Sequence, residues 1–174
     1  MLKMSALRRG GAMTMAAIIL AAGAYAQAPT AESSASLEVK GAVKQELRLS
    51  AADLKAMPRT KISAKGHDGA EHEYEGVTLG ALLAKAGVPA GGDLRGKNMT
   101  LCVVAEAGDG YRAVFSVAEL DGDFAGEIVL VADTADSKAI GADQGPLRLV
   151  VPGDKRQGRW VRMLKALVVV KAGE

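Results

Sequence analysis

The chain of 174 residues contains one cysteine and few aromatic residues. A single thiol, Cys102, can form neither an internal disulfide nor a multi-cysteine metal site. Leu101 and Val103 flank Cys102 in a predicted strand, so we expect a small buried side chain there rather than a reactive thiol. Aromatic residues make up 3% of the chain, and leucine, valine and alanine must therefore fill most of the core.

The first 26 residues have the pattern of a secretory signal peptide. Three basic residues, the pair Arg8-Arg9 among them, precede a mostly apolar run over residues 11–22, and residues 24–26 have the A-x-A form of a signal-peptidase site. The pattern predicts an exported, periplasmic protein, in which an uncleaved segment 1–26 would provide the membrane contact. The general secretory and twin-arginine routes both stay open, because the arginine pair is present but no Ser or Thr directly precedes it.

Neither sign of charge dominates once this segment is removed. Cleavage leaves 19 basic and 20 acidic side chains, a net charge of −1, whereas the whole chain carries +2. We therefore predict no nucleic-acid partner. Residues 27–36 lack apolar periodicity and are predicted to be a disordered lead-in, and residues 37–174 are predicted to form one globular domain.

Short apolar stretches separated by turn signals predict an α+β domain. Asp109-Gly110 joins two alternating stretches and indicates a hairpin, while Ser50, Thr78 and Ser116 are placed as helix N-caps. Residues 133–144 are polar and are predicted to be a connection. The whole pattern predicts a compact mixed β-sheet or barrel-like domain with two or three short helices. The predicted strands cover residues 37–43, 45–49, 60–64, 99–105, 111–115, 128–132, 147–151 and 164–170.

Both histidines of the chain, His67 and His72, lie on a predicted hairpin around Asp68-Gly69. Imidazole and carboxylate groups facing each other across a hairpin could bind copper or zinc. The alternative is a solvated polar hairpin, and the spacing matches no established ligand motif. We therefore predict no metal site, with His67 and His72 as the candidates to test.

The segment 145–170 places a basic loop between two apolar strands. Its basic residues would be presented from a rigid scaffold, and they could bind a phosphate or a sulfur oxyanion. The alternative is a solvated turn with Trp160 packed on the core and the arginine stems lying along it. The turn Asp109-Gly110-Tyr111 is expected to flank the same cleft. The candidate anion contacts are Arg148, Lys155, Arg156, Arg159 and Arg162.

Four sequence segments, in their order along the chain, indicate a protein family. They are YEGVTLGALLAKAGV, DGYRAVFSVAELD, IVLVAD and GPLRLVVPGDKRQGRWVRMLKALVV, and the resemblance that they indicate covers roughly residues 37–170. This order resembles the molybdopterin-binding domain of the sulfite-oxidase-type oxidoreductases, in particular their short, exported, single-domain members. The resemblance implies a compact mixed α+β fold. It also implies molybdopterin as a cofactor, whose molybdenum transfers oxygen atoms or reduces oxidised sulfur.

Two departures from the family pattern bear on activity. The enzymes that this chain resembles bind molybdenum through a cysteine at the end of the strand before the G-V-x-L phrase, and residues 60–69 contain none. Residues 27–52 are also too few to supply the family's pterin-holding segment. We therefore predict a non-catalytic binding module without a cofactor, whose partner is a small anion or a periplasmic protein. The alternative is a molybdenum-dependent oxidoreductase for sulfite or sulfoxide, with water or a serine such as Ser63 in place of the thiolate.

Overall fold

The computed structural model describes residues 36–173. The predicted signal peptide, and the predicted lead-in up to residue 35, lie outside the described residues. Residues 36–173 form one mixed sheet, one antiparallel sheet and three short helices, which confirms the predicted α+β class. The strands are β1 (Leu37–Gly41), β2 (Leu47–Leu49), β3 (Thr60–Lys65), β4 (Glu71–Thr78), β5 (Leu101–Ala107), β6 (Arg112–Ser116), β7 (Leu130–Ala135), β8 (Lys138–Ala139), β9 (Arg148–Val150) and β10 (Leu164–Lys171).

The first sheet has the strand order β2-β1-β10-β5-β6. Its only parallel pair among the described strands is β1 with β10, and the other neighbours are antiparallel. Alternate residues of β5 are buried, so one face of the sheet packs on the core. Cys102 belongs to the other face and is half-buried, which corrects the expectation of a buried thiol.

The second sheet has the order β3-β4-β7-β8, and β9 also pairs with β7. The polar stretch 133–144 is not a simple connection, because β7 continues to Ala135 and turns back into β8. Asp136 and Ser137 form that turn with φ angles of 49° and 63°, a left-handed conformation that asparagine and aspartate tolerate better than most residues. The turn therefore lacks the glycine that marks such hairpins in a sequence.

The helices begin where their capping residues predict. They are α1 (Ala51–Lys55), α2 (Leu79–Lys85) and α3 (Val117–Leu120). Ser50 and Ser116 form capping boxes, and the Thr78 hydroxyl accepts a hydrogen bond from the backbone N–H of Ala81. None of the helices in residues 36–173 is long and apolar enough to cross a membrane.

Candidate functional site

A cleft of about 890 Å³ opens at one end of the second sheet. Its walls come from the β3–β4 turn, β4, the β7–β8 turn, the segment 139–144, β9 and the loop before β10. The loop before β10 is the basic loop predicted from the sequence. Both candidate histidines and two of the candidate arginines thus line one cleft.

Arg148 is the buried charge of this cleft. Its side chain lies on β9 and is 8% exposed, and it forms no ion pair with any described carboxylate. One terminal nitrogen donates to the Gln144 side-chain oxygen, while its Nε has no hydrogen-bond partner among the described residues. Burial lowers the pKa of Arg148 below its ordinary value, although the group stays protonated at neutral pH. A buried guanidinium without a carboxylate is an incomplete arrangement that an anion would complete.

Two aromatic rings hold the Arg148 guanidinium in place. Its Cζ lies 5.7 Å from the Tyr74 ring centroid and 5.4 Å from that of Trp160, within the range of cation–π contacts. The rings meet edge to face at 5.8 Å, and the Trp160 indole N–H donates to the Val151 carbonyl at 3.0 Å. The guanidinium is therefore positioned before any ligand arrives.

His72 lies on β4, two residues before Tyr74, between two carboxylates. Its Nδ1 is 2.6 Å from Asp136 Oδ2, and its Nε2 is 3.2 Å from Asp68 Oδ2. Both bonds form together only when both ring nitrogens carry hydrogen, so the two carboxylates favour the imidazolium form of His72. The bond to Asp136, followed by the bond to Asp68, raises the pKa of His72 above its ordinary value.

Glycine at position 66 allows this arrangement. A Cβ at Gly66 would lie 2.7 Å from both the Asp68 Oδ1 and the His72 Cδ2. A larger residue would therefore displace the His72–Asp68 pair. The absence of a side chain at Gly66 therefore leaves the space that the His72 and Asp68 side chains occupy.

The two candidate metal ligands lie in the same cleft. His67 and His72 both line the cleft, but both ring nitrogens of His72 are already bonded to carboxylates. Within residues 36–173, no group of three or more His, Cys, Asp or Glu side chains is placed to hold a metal ion.

The five candidate anion contacts divide into two groups. Arg148 and Arg162 line the cleft, whereas Lys155, Arg156 and Arg159 are not part of its lining. Arg159 instead binds both carboxylate oxygens of Asp154, at 2.6 and 3.0 Å, and also contacts Glu119 at 3.1 Å. The Asp154 bond raises the pKa of Arg159 further above its ordinary value. Arg159 therefore stabilises the loop rather than facing a ligand.

The basic loop is attached at two further points. The Gln157 side chain donates to the Lys65 carbonyl at 2.6 Å, and the Tyr111 hydroxyl donates to the Gly158 carbonyl at 2.5 Å. Asp109 and Tyr111 line a smaller adjoining cavity of about 220 Å³, which shares Trp160 and Arg162 with the cleft. The turn 109–111 thus flanks the cleft, as expected.

Several residues of the cleft were not among the predicted site residues, including Tyr74, Asp136, Asp143 and Gln144. Tyr74 could have been found, because it follows His72 by two positions on one strand and must share its face. Asp136 and Gln144 lie in the stretch predicted to be a connection, where no sequence signal indicates their partners.

The two sheets, the three short helices and the basic loop define a sulfite-oxidase-type molybdopterin domain. The chain belongs to the oxidoreductase molybdopterin-binding domain family, whose model matches residues 25–174. Among solved structures, the crystal structure of the sulfane dehydrogenase SoxCD from Paracoccus pantotrophus is similar, with a TM-score of 0.61 and 25% identity. That match covers 80% of this chain but 39% of the SoxCD chain, so this chain spans less than half of that length. No curated protein sequence matches this chain.

The donor groups of the cleft do not fit a molybdenum atom held by a thiolate. The described lining contains no cysteine, and Cys102 lies on β5 in the other sheet. Ser63, the alternative ligand, is exposed on β3 and lies outside the lining. Arg148 and Arg162 are hydrogen-bond donors and fit an oxyanion instead.

Proposed function

We propose that this protein is an exported, non-catalytic member of its family that binds a small anionic molecule in the cleft. The observation that carries this proposal is Arg148, a guanidinium that is 8% exposed and has no carboxylate partner among the described residues. Burying an unpaired charge costs stability, so its retention is accounted for by a ligand that supplies the opposite charge.

In this proposal the residues of the cleft have separate roles in binding the anion. Arg148 forms the buried anion contact, and Arg162 adds a second, exposed charge at the cleft wall. Tyr74 and Trp160 fix the direction of the guanidinium and exclude water from its faces. A sulfur oxyanion, a phosphate or a carboxylate offers the acceptors that this geometry needs. A periplasmic protein that inserts an acidic side chain would use the same contact.

Tryptophan fluorescence and calorimetry test the proposal. Trp160 is the only tryptophan of the chain and lies against Arg148, so binding should change its emission. We expect sulfate, phosphate or propanesulfonate to bind the purified protein, and Arg148→Gln to abolish binding. Arg156→Gln is the matched control, because Arg156 lies outside the cleft lining and its loss should leave the affinity unchanged. If none of the three anions binds, the proposed function is wrong.

The comparisons with known proteins favour a second candidate function, that of an oxidoreductase. The structurally similar SoxCD is a sulfane dehydrogenase, and the family is that of the oxidoreductase molybdopterin-binding domain. A molybdenum-dependent enzyme for sulfite or sulfoxide is therefore the alternative. Protein exported from a molybdenum-replete host should be analysed for metal and pterin. Stoichiometric molybdenum with a pterin would overturn the non-catalytic proposal, and turnover of sulfite and sulfoxide would then be measured.

A further inference from the structure

The ionisable side chains of the cleft form two groups of opposite net charge. The first group consists of Arg148, Arg162 and Asp143, all of which line the cleft. The charge of Arg162 lowers the pKa of Arg148, and that of Asp143 raises it. Two guanidinium groups and one carboxylate leave this basic group with a net charge of +1.

The second group consists of Asp68, His72 and Asp136, which also line the cleft. With His72 protonated between its two carboxylates, this acidic group has a net charge of −1. A carboxylate has about four lone-pair sites, so each aspartate can still accept a hydrogen bond from a ligand. His67, the remaining histidine of the lining, is counted as neutral.

Tyr74 lies next to both groups. Its ring centroid is 5.7 Å from Cζ of Arg148 and 6.2 Å from the His72 ring centroid. No ion pair among the described residues joins the two groups, so their opposite charges do not neutralise each other by direct contact. A small molecule that lies across Tyr74 can reach both.

The balance of charge decides which ligand the cleft favours. The two groups together are neutral, so a dianion such as sulfate gains attraction at one end and meets repulsion at the other. A molecule with one anionic and one cationic end is attracted at both ends.

We propose that the ligand of this cleft is a small zwitterion, with its anionic group on Arg148 and its ammonium group on the Asp68–His72–Asp136 cluster. This inference rests on the proposed function, because it assigns the anionic end to the same arginine. The amino sulfonates and amino acids are the simplest molecules of this class. The cleft thus favours a ligand that carries a positive group as well as a negative one over a simple anion.

Matched pairs of sulfonates test this inference. Taurine is compared with propanesulfonate, and homotaurine with butanesulfonate, because each pair differs only by an ammonium group in place of a methyl group. Calorimetry on the purified full chain at neutral pH gives each dissociation constant. We expect at least one amino sulfonate to bind about tenfold more tightly than its partner, the difference that one charge-assisted hydrogen bond provides.

Two variants locate the preference. The double variant Asp68→Asn/Asp136→Asn should remove it and leave propanesulfonate bound, since asparagine tolerates the left-handed backbone at position 136. Asp93→Asn is the control, because Asp93 is an exposed aspartate outside the cleft lining. Circular dichroism confirms that each variant is folded before binding is measured.

The outcomes separate this inference from the proposal beneath it. Equal affinities within both pairs would overturn the zwitterion inference and leave anion binding intact. A preference that survives in the double variant would overturn the assignment of the ammonium group to the acidic cluster. If no sulfonate and no inorganic anion binds, the proposed function fails and this inference fails with it.

Discussion

The Arg148 guanidinium lies 5.4 Å from the ring centroid of Trp160, and no carboxylate described in the structure pairs with it. The same residue is therefore expected to favour binding and to oppose stability. Replacing a buried charge by an apolar side chain of similar volume is often neutral or stabilising.

Arg148→Met should raise the free energy of unfolding by about 1 kcal/mol while abolishing anion binding. Methionine keeps the volume and the flexible stem, but it removes the desolvated charge. Urea denaturation measures the stability, and Trp160 fluorescence measures binding. A loss of more than about 2 kcal/mol would instead assign Arg148 a structural role.

The pKa of His72 should fall when Asp136 is replaced by asparagine. The bond from His72 to Asp136 is the largest cause of the raised pKa, and the bond to Asp68 is the next. An NMR titration of the imidazole protons compares the native chain, Asp136→Asn and the control Asp93→Asn. An unchanged His72 titration in Asp136→Asn would contradict the ion pair.

The pairing of His72 with Asp136 and Asp68 should make the free energy of unfolding depend on pH. Because the native pKa of His72 lies above its value in the unfolded chain, protonation favours the folded state. Its contribution is complete below the ordinary histidine pKa of about 6.5, and it is lost as pH rises through the native pKa. Urea midpoints measured across this window should fall more steeply in the native chain than in His72→Gln.

Two mutations in the basic loop should differ in their effect on the free energy of unfolding. Asp154→Asn breaks the two-pronged contact with Arg159 and should lower the free energy of unfolding by about 1 kcal/mol, since the pair is partly exposed. Lys155→Gln should change it by less than about 0.5 kcal/mol, because Lys155 is an exposed residue of the loop. Equal effects would mean that the Arg159 contact does not stabilise the loop.

Gly76 should not tolerate a side chain. A Cβ there would collide with the Val131 carbonyl oxygen, where β4 and β7 change register. Backbone cannot move aside as a flexible side chain does, so we expect Gly76→Ala to cost about 3 kcal/mol or more. Gly92→Ala is the control, because nothing lies within 4 Å of a Cβ at that position. Similar urea midpoints for both variants would contradict the close approach.

Local signals in the sequence predicted much of the fold. Ser50, Thr78 and Ser116 cap helices as expected, and the Asp109-Gly110 turn joins β5 to β6. These features depend on neighbouring residues alone. The β7–β8 hairpin was missed because its turn uses Asp136 and Ser137 instead of glycine.

The cleft was only partly predictable, because its contacts are distant in sequence. His72 and Asp136 are 64 positions apart, and the sequence pattern placed His72 opposite other hairpin residues instead. Arg148 and Arg159 look alike in the basic segment. They differ because Asp154 and Glu119 surround Arg159, whereas aromatic rings surround Arg148. Only the folded chain separates the two roles.

The hydrogen bond from Gln157 to the Lys65 carbonyl has a consequence for self-association. β3 is an edge strand, and an edge with free carbonyl groups can add a strand from another molecule and begin aggregation. The Gln157 side chain occupies one of these groups, and Lys61 and Lys65 place charge along the same strand. The loop that lines the cleft therefore also covers part of this edge and leaves fewer backbone groups to which another molecule could add a strand.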